Sequence, residues 1–365
     1  MDNKLVLTFK PEVAKRLNDY LMSEEYQKEL NLLYHWARFQ PVNAKAFSVE
    51  GNNVVIDLDI VLSRSAPDDD YLKNFGNNVS RKGEYCIYNK SKDKRHTGLF
   101  APVRKLKNKY KRKLKNKLLH RLGCYDQPAY DPLYHFEKYW PNGKGYFSVE
   151  EMKKECGGRE NIHLSKWKAF YFYNEIYPLL KSKNISLGSV LEIGAGSGNL
   201  LKLIKKHNPG VKIFNIDLAT SIPYSFCNLL YEFPDSTFLL PNELGKQKID
   251  NIDLVFCSNL QHDLFPKDYF DLAVNTMSFA EMRKSDVDLY FDMLRRCMKS
   301  NNLFYCVNRW ESKVTEHDEE TVPYRFIDYP WSIHDNDYLF MPSRVHQGFT
   351  AGVFLVKATK LKVSH

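Results

Sequence analysis

One stretch of nine residues constrains this chain more than any other: Val190-Leu191-Glu192-Ile193-Gly194-Ala195-Gly196-Ser197-Gly198. An apolar strand runs into a glycine-rich turn, and Leu200 to His207 then has helical spacing. Glycine lets a backbone turn sharply and approach a ligand where a Cβ would collide. A dinucleotide-binding turn, G-x-G-x-x-G, needs its third glycine at position 199, where Asn199 stands. The third glycine is Gly198, so the pattern is G-x-G-x-G. No G-x-x-x-x-G-K-[ST] occurs, which excludes a P-loop of that form.

The surrounding sequence alternates strand and helix. A helix over Trp167 to Leu180 precedes the glycine-turn strand (Ser189 to Ile193), and a second strand spans Val211 to Ile216. Apolar runs at Leu254 to Cys257, Phe270 to Val274 and Leu303 to Val307 supply further parallel strands, and Tyr338 to Met341 with Gly352 to Ala358 reads as a closing hairpin. Such alternation argues for a doubly wound α/β sheet. Upstream, the first forty residues read as helix, with Leu30, Leu33, Tyr34 and Ala37 in register and Pro41 as the stop. Ile56, Leu58, Ile60 and Leu62 alternate like a half-buried strand, and Pro67 to Asn89 is polar and turn-rich. Past an aromatic region, Tyr134 to Phe147, the Gly157-Gly158 break divides the chain into an N-terminal α+β accessory region, 1–158, and a second domain, 159–365.

The glycine turn resembles motif I of the class I methyltransferases, in which an acid stands two residues before the first glycine, as Glu192 does. Asp217 ends the next strand nineteen residues after Gly198, where a carboxylate can accept from both hydroxyls of a ribose. The plain alternative is an incidental glycine turn and strand-end Asp in some other α/β protein. The resemblance implies a Rossmann-like class I methyltransferase fold, a mostly parallel seven-stranded sheet with a closing antiparallel hairpin. It implies S-adenosyl-L-methionine as cofactor and S-adenosyl-L-homocysteine as product, held by Glu192, Gly194, Ala195, Gly196, Gly198, Asp217, Leu218, Asn259, Leu260 and Asn275. Asn259 stands where the family commonly has an adenine-binding Asp, and its side-chain oxygen can accept the same hydrogen bond. Asn275 is expected beside the methyl group.

Methyl transfer to a hydroxyl needs alignment first and a proton acceptor second. His262, Asp263 and Glu281, in loops after the third and fourth strands of the domain, are the candidate bases, and His262 alone titrates near neutrality unperturbed. Each has an ordinary role as well: Asp263 as a cap before Pro266, Glu281 as a helix start, His262 as a surface residue. The runs Asn275 to Met282, Phe304 to Arg309, Tyr324 to Phe326 and Tyr329 to Trp331 are similar to the sugar O-methyltransferases of bacterial surface-polysaccharide clusters. That likeness implies a glycan or nucleotide-sugar hydroxyl as acceptor, contacted by Ser278, Asn308, Arg309 and Tyr324. The fifth strand ends Asn308-Arg309-Trp310-Glu311, without a carboxylate pair, so no metal is expected.

The net charge of +9 is a local matter, because Arg104 to Arg121 holds ten basic residues and no acid. Without that segment, basic and acidic residues balance to within one. Val103, Leu106, Tyr110, Leu114 and Leu118 give it an apolar helical stripe; its cationic face either docks on anionic lipid or a phosphate-rich glycan, or is simply solvated. A nucleic-acid methyltransferase using this segment, and an inactive binding module, are the rival readings. The seven cysteines lie far apart and read as reduced thiols, and neither a signal peptide nor a membrane-spanning run is evident. A cytoplasmic protein, peripheral to the membrane at most, is expected.

Overall fold

The computed structural model describes residues 4–30, 44–57, 146–156, 164–311, 324–343 and 354–363. Its N-terminal part opens with a strand, β1 (Lys4–Thr8), in which Leu5 and Leu7 are buried between exposed neighbours. This corrects the expectation of helix from the first residue: the short period-two segment is decided by what lies beneath it. Pro11, at the first helical position, then starts α1 (Pro11–Leu21), which is followed by α2 (Glu24–Leu30). β1 pairs antiparallel with β3 (Asn53–Asp57), and β3 with β2 (Phe47–Glu50). The expected strand from Ile56 therefore begins earlier, with Val54, Val55 and Ile56 all buried. Leu58 to Leu62, the turn-rich loop, the basic segment 104–121 and the Gly157-Gly158 boundary lie outside the described residues.

After α3 (Val149–Cys156) and α4 (Leu164–Ser182) come β4 (Ser189–Ile193), α5 (Asn199–His207), β5 (Lys212–Asp217), α6 (Ile222–Glu232), β6 (Phe238–Leu239), β7 (Leu254–Ser258), β8 (Phe270–Thr276), α7 (Lys284–Cys297), β9 (Met298–Arg309), β10 (Asn336–Pro342) and β11 (Phe354–Lys360). The strands form one sheet in the order β10-β11-β9-β8-β4-β5-β7-β6. β6 to β9 and β4, β5 run parallel, while β11 pairs antiparallel with both β9 and β10. Eight strands pair where seven were expected, because two-residue β6 is too short to leave a periodic signal.

Both faces of β4 are covered, which is why all five of its residues are buried. Val190 faces a core with Trp167, Phe170, Leu201, Phe226 and the N-terminal Leu17 and Tyr20. Leu191 and Ile193 face Phe279, Phe291, Leu294 and Tyr329. Chain order leaves β4 in two directions, outward through β5 to β7 and outward again through β8 to β9. Such a reversal opens a crevice beyond the carboxyl ends of the strands, where open α/β sheets bind their ligands.

Candidate functional site

β4 enters the crevice through the glycine turn. Gly194, Gly196 and Gly198 have φ of +74°, +57° and +70°, a region costly for other residues. A Cβ on Gly194 would lie 2.4 Å from Ser278 Oγ, so only glycine lets the loop after β8 close on the turn. The Gly196 amide donates to Asp217 Oδ2 at 2.7 Å, and the Leu218 amide to Asp217 Oδ1 at 2.8 Å. Asp217 thus ties the turn to the end of β5 and keeps lone pairs for further donors. Ala195 and Leu218 are half-buried beside it.

Acids gather here. Glu192 is 2% exposed; Thr276 Oγ1 lies 3.5 Å from its Oε1, and its Oε2 has no hydrogen-bond partner. Burial first, and the neighbouring Asp217 charge second, push its carboxyl up to about 8. Burial also pushes Asp217 up to about 6, against the amides of Gly196 and Leu218 and the Ser221 side chain. A third acid, Glu29 of α2, is fully buried and pushed up to about 7, again mainly by burial with a contribution from Asp217. Glu192 and Asp217, held partly protonated by burial, would ionise around a cation. Sequence reasoning missed Glu29, since no local pattern marks a helix residue that folds onto a strand end 190 positions away.

At the end of β7, Asn259 opens a 3-10 turn, Asn259–Leu264. Its side-chain Oδ1 is buried and has no partner. Leu260 beside it is 39% exposed. His262 turns back onto this loop, with Nδ1 3.2 Å from the Asn259 carbonyl and Nε2 3.3 Å from Asp263. β7 is two strands from β4 and three from β8, roughly 10 and 14 Å at ordinary strand spacing. The structure therefore sets His262 and Asp263 beside Asn259 and apart from Asn275; of the three candidate bases, Glu281 alone lies on the β8 side, half-buried in the turn Phe279–Glu281.

The ends of β8 and β9 are arranged differently. Asn275 is fully buried: its Nδ2 donates to Ile193 O at 2.9 Å and Ser278 Oγ at 2.5 Å, while its Oδ1 accepts from Asn308 Nδ2 at 2.7 Å and Phe279 N at 3.3 Å. All four of its hydrogen bonds are spent inside the protein, so it bolts three strands together and leaves no group for the cofactor. Asn308, equally buried, accepts the Ala280 amide at 3.1 Å. The Tyr324 hydroxyl lies 2.8 Å from Phe279 O and 2.9 Å from Met282 O. Ser278 donates to Ile193 O at 3.0 Å and packs on Gly194. Asn308, Tyr324 and Ser278, expected from the sequence to contact the acceptor, use these side-chain hydrogen bonds to hold the acceptor-side loop in shape. Of that set only Arg309 is exposed, next to Trp310 at 37% exposure. Met277, between these residues, has a φ of +72°, a backbone strain held by its amide on Val307 O at 2.7 Å.

Residues 166–343, just under half of the chain, match the family model of a methyltransferase domain. Solved structures with a similar fold include a geranyl diphosphate C-methyltransferase from Streptomyces coelicolor (10% identity, TM-score 0.34, 64% of this chain and 100% of that one). Another is an S-adenosylmethionine-dependent methyltransferase from Clostridium acetobutylicum (11%, TM-score 0.33, 56% and 94%). A search of curated proteins finds no match. The residues present suit S-adenosyl-L-methionine, the cofactor expected from the glycine turn. Asn259 Oδ1 is an open acceptor for an amino group, Asp217 stands at the end of β5 for hydroxyls, and Glu192 Oε2 is an open acceptor beside the Asp217 charge. Among the described residues no helix is long and apolar enough to cross a membrane.

Proposed function

We propose that this chain, which matches a methyltransferase domain over residues 166–343, uses S-adenosylmethionine to methylate a hydroxyl of a sugar in a bacterial surface glycan or its precursor. The observation that carries the cofactor half of this reading is the set of buried acceptors left open along the crevice, Glu192 Oε2 and Asn259 Oδ1, beside the carboxylate of Asp217. Bound there, the cofactor supplies a methyl group on a sulfonium, which already has its leaving group. What remains for the chain is to hold an oxygen nucleophile in line and take its proton.

The acceptor half rests on the likeness of the runs after β8 and β9 to the sugar O-methyltransferases and on what those strand ends offer. Arg309 and Trp310 stand exposed together, and the Arg325 guanidinium lies 5.9 Å from the Trp310 ring centre. An aromatic face with guanidinium donors suits a sugar ring and its hydroxyls. Glu281 takes the proton in this reading, since His262 and Asp263 belong to the other end of the crevice. Glu281→Gln should lower kcat about 100-fold or more, with little change in S-adenosylmethionine affinity. Unchanged turnover across the pH range would remove Glu281 as the base.

The test of the function is methyl transfer from labelled S-adenosylmethionine to a surface-glycan fraction and to total RNA. Label in the glycan alone supports the reading. Label in RNA alone overturns it and moves attention to the basic segment 104–121 as a phosphate grip.

A further inference from the structure

We propose that Asn228 is a positioning residue of the cofactor site: from α6 its side-chain amide clamps the glycine turn on both sides of Gly198 and fixes the turn geometry that receives S-adenosylmethionine. This rests on the cofactor reading above and gives α6 a part in that site.

Three glycines in five residues leave the turn little stiffness of its own, because glycine tolerates many backbone conformations. Its first half is held by the sheet: the Gly194 amide donates to Ile216 O at 2.8 Å and the Gly196 amide to Asp217. Its second half is held from α6. Asn228 is 1% exposed, and its Nδ2 donates to Ser197 O at 2.7 Å and to Asn199 Oδ1 at 3.2 Å. Asn199, which stands where a dinucleotide-binding turn has its third glycine, donates from Nδ2 to Ser197 Oγ at 2.9 Å. The two residues flanking Gly198 are thereby joined to each other and to the helix. Lys202 Nζ donates to Asn228 Oδ1 at 3.0 Å. An ammonium group can only donate, so it fixes which end of the amide is oxygen and turns the two N–H donors toward the turn.

Docking of α6 does not need this amide. Ile222, Phe226, Leu229 and Leu230 are buried in the core, and Phe226 meets the rings of Phe238 and Phe256 at 5.2 and 5.5 Å. Ser225, one helical turn before Asn228, is fitted to the same place: a Cβ on Gly198 would lie 3.1 Å from Ser225 Cβ. Its hydroxyl accepts from Asn215 Nδ2 of β5 at 2.7 Å. A leucine at 228 would bury more apolar surface at less cost in desolvation. Its place is taken by a buried amide with both donors used, which holds its partners in one arrangement as no hydrocarbon can.

The test compares the full-length wild type with Asn228→Asp and a matched control, Asn302→Asp, titrating S-adenosylhomocysteine below the melting temperature of each. Asn302 is fully buried in the first half of β9, away from the crevice, and its amide has the same pattern of bonds. Its Nδ2 donates to Lys299 O at 2.6 Å and Leu361 O at 3.2 Å, and its Oδ1 accepts from the Leu361 amide at 3.0 Å. Aspartate keeps the shape and the accepting oxygen at either position and loses both donors, so both variants should melt lower than the wild type. Asn228→Asp should also raise Kd about tenfold, while Asn302→Asp stays within about twofold. Wild-type affinity in Asn228→Asp, or equal weakening in Asn302→Asp, would overturn the proposal by showing that the amide serves only the fold. A wild type that does not bind S-adenosylhomocysteine would overturn the cofactor reading and this role with it. Should Asn228→Asp not fold, Asn199→Ala removes one partner of the clamp: a Kd raised about threefold supports it, and an unchanged Kd sinks it.

Discussion

The two ends of the crevice are built from the same kinds of residue and treat them in opposite ways. At the β8 and β9 ends, Asn275, Asn308, Ser278 and Tyr324 bond to one another and to the backbone. At the β4 and β7 ends, Glu192 and Asn259 each keep a buried oxygen without a partner. A buried acceptor left open costs about 1–3 kcal/mol, so it persists where a ligand completes it, whereas a saturated network works as framework. A buried asparagine in a crevice is thus identified as ligand contact or framework by its unused hydrogen bonds and not by its position.

The largest expected effect comes where the two ends touch. Gly194→Ala would add left-handed strain to a 2.4 Å collision with Ser278, costing about 3 kcal/mol or more. Melting and S-adenosylhomocysteine titration should show both stability and binding lost together; an alanine variant that melts and binds normally would mean the turn and the β8 loop are not in contact.

Asn308→Ala comes next. It leaves Asn275 Oδ1 short of a donor and the Ala280 amide without its acceptor, at about 3 kcal/mol. If the β9 end is framework, denaturation experiments should show that loss while affinity for S-adenosylhomocysteine stays within about threefold. A variant of normal stability with a lost acceptor KM would return Asn308 to the substrate site.

Much of this architecture was legible in the sequence. Every strand of five residues or more in the large sheet was marked by a run of apolar residues, for the central strands because those covered on both faces admit little else, and the helices over 167–180 and 200–207 followed from spacing. What stayed hidden was tertiary. β1 looked helical because Leu5 and Leu7 span too few residues to show alternation, and β6 is two residues long. Gly194, Gly196 and Asp217 could be named from their positions, since backbone geometry dictates glycine and a strand end places the acid. Asn275 and Asn308 could not be told from ligand contacts, because sequence does not count hydrogen bonds. Glu29 carried no signal at all, the Ala219 amide it accepts lying 190 residues away.

A third effect separates the ends by charge. Glu192 is raised from 4.5 to about 8, so between those values the folded chain holds a proton that the unfolded chain has released. Stability of the ligand-free protein should therefore fall as pH rises through that window, and Asp217 and Glu29, raised to about 6 and 7, act in the same direction at lower pH. Binding of a cationic cofactor favours the ionised acids, so its affinity should rise from pH 6 to 8. Glu192→Gln should flatten the upper part of the stability curve and remove most of the pH dependence of binding. A wild-type stability that rises through this window would contradict the buried acids.

The smallest effect is the sharpest discriminator. Asn259→Ala removes an acceptor that no group of the protein uses, so the folded state loses little: thermal melting should shift by about 2 °C or less, the range of an ordinary surface change of about 0.5 kcal/mol. Binding is different, because Asn259 Oδ1 is the oxygen proposed to accept from the adenine amino group, and losing one such bond should weaken S-adenosylhomocysteine about tenfold. A ligand whose purine carries an oxygen in place of the amino group offers nothing to accept, so the wild type should bind it as weakly as the variant binds the amino form. If the variant discriminates between the two purines as well as the wild type does, Asn259 does not read the base, and the open oxygen at the end of β7 would have to serve another part of the ligand.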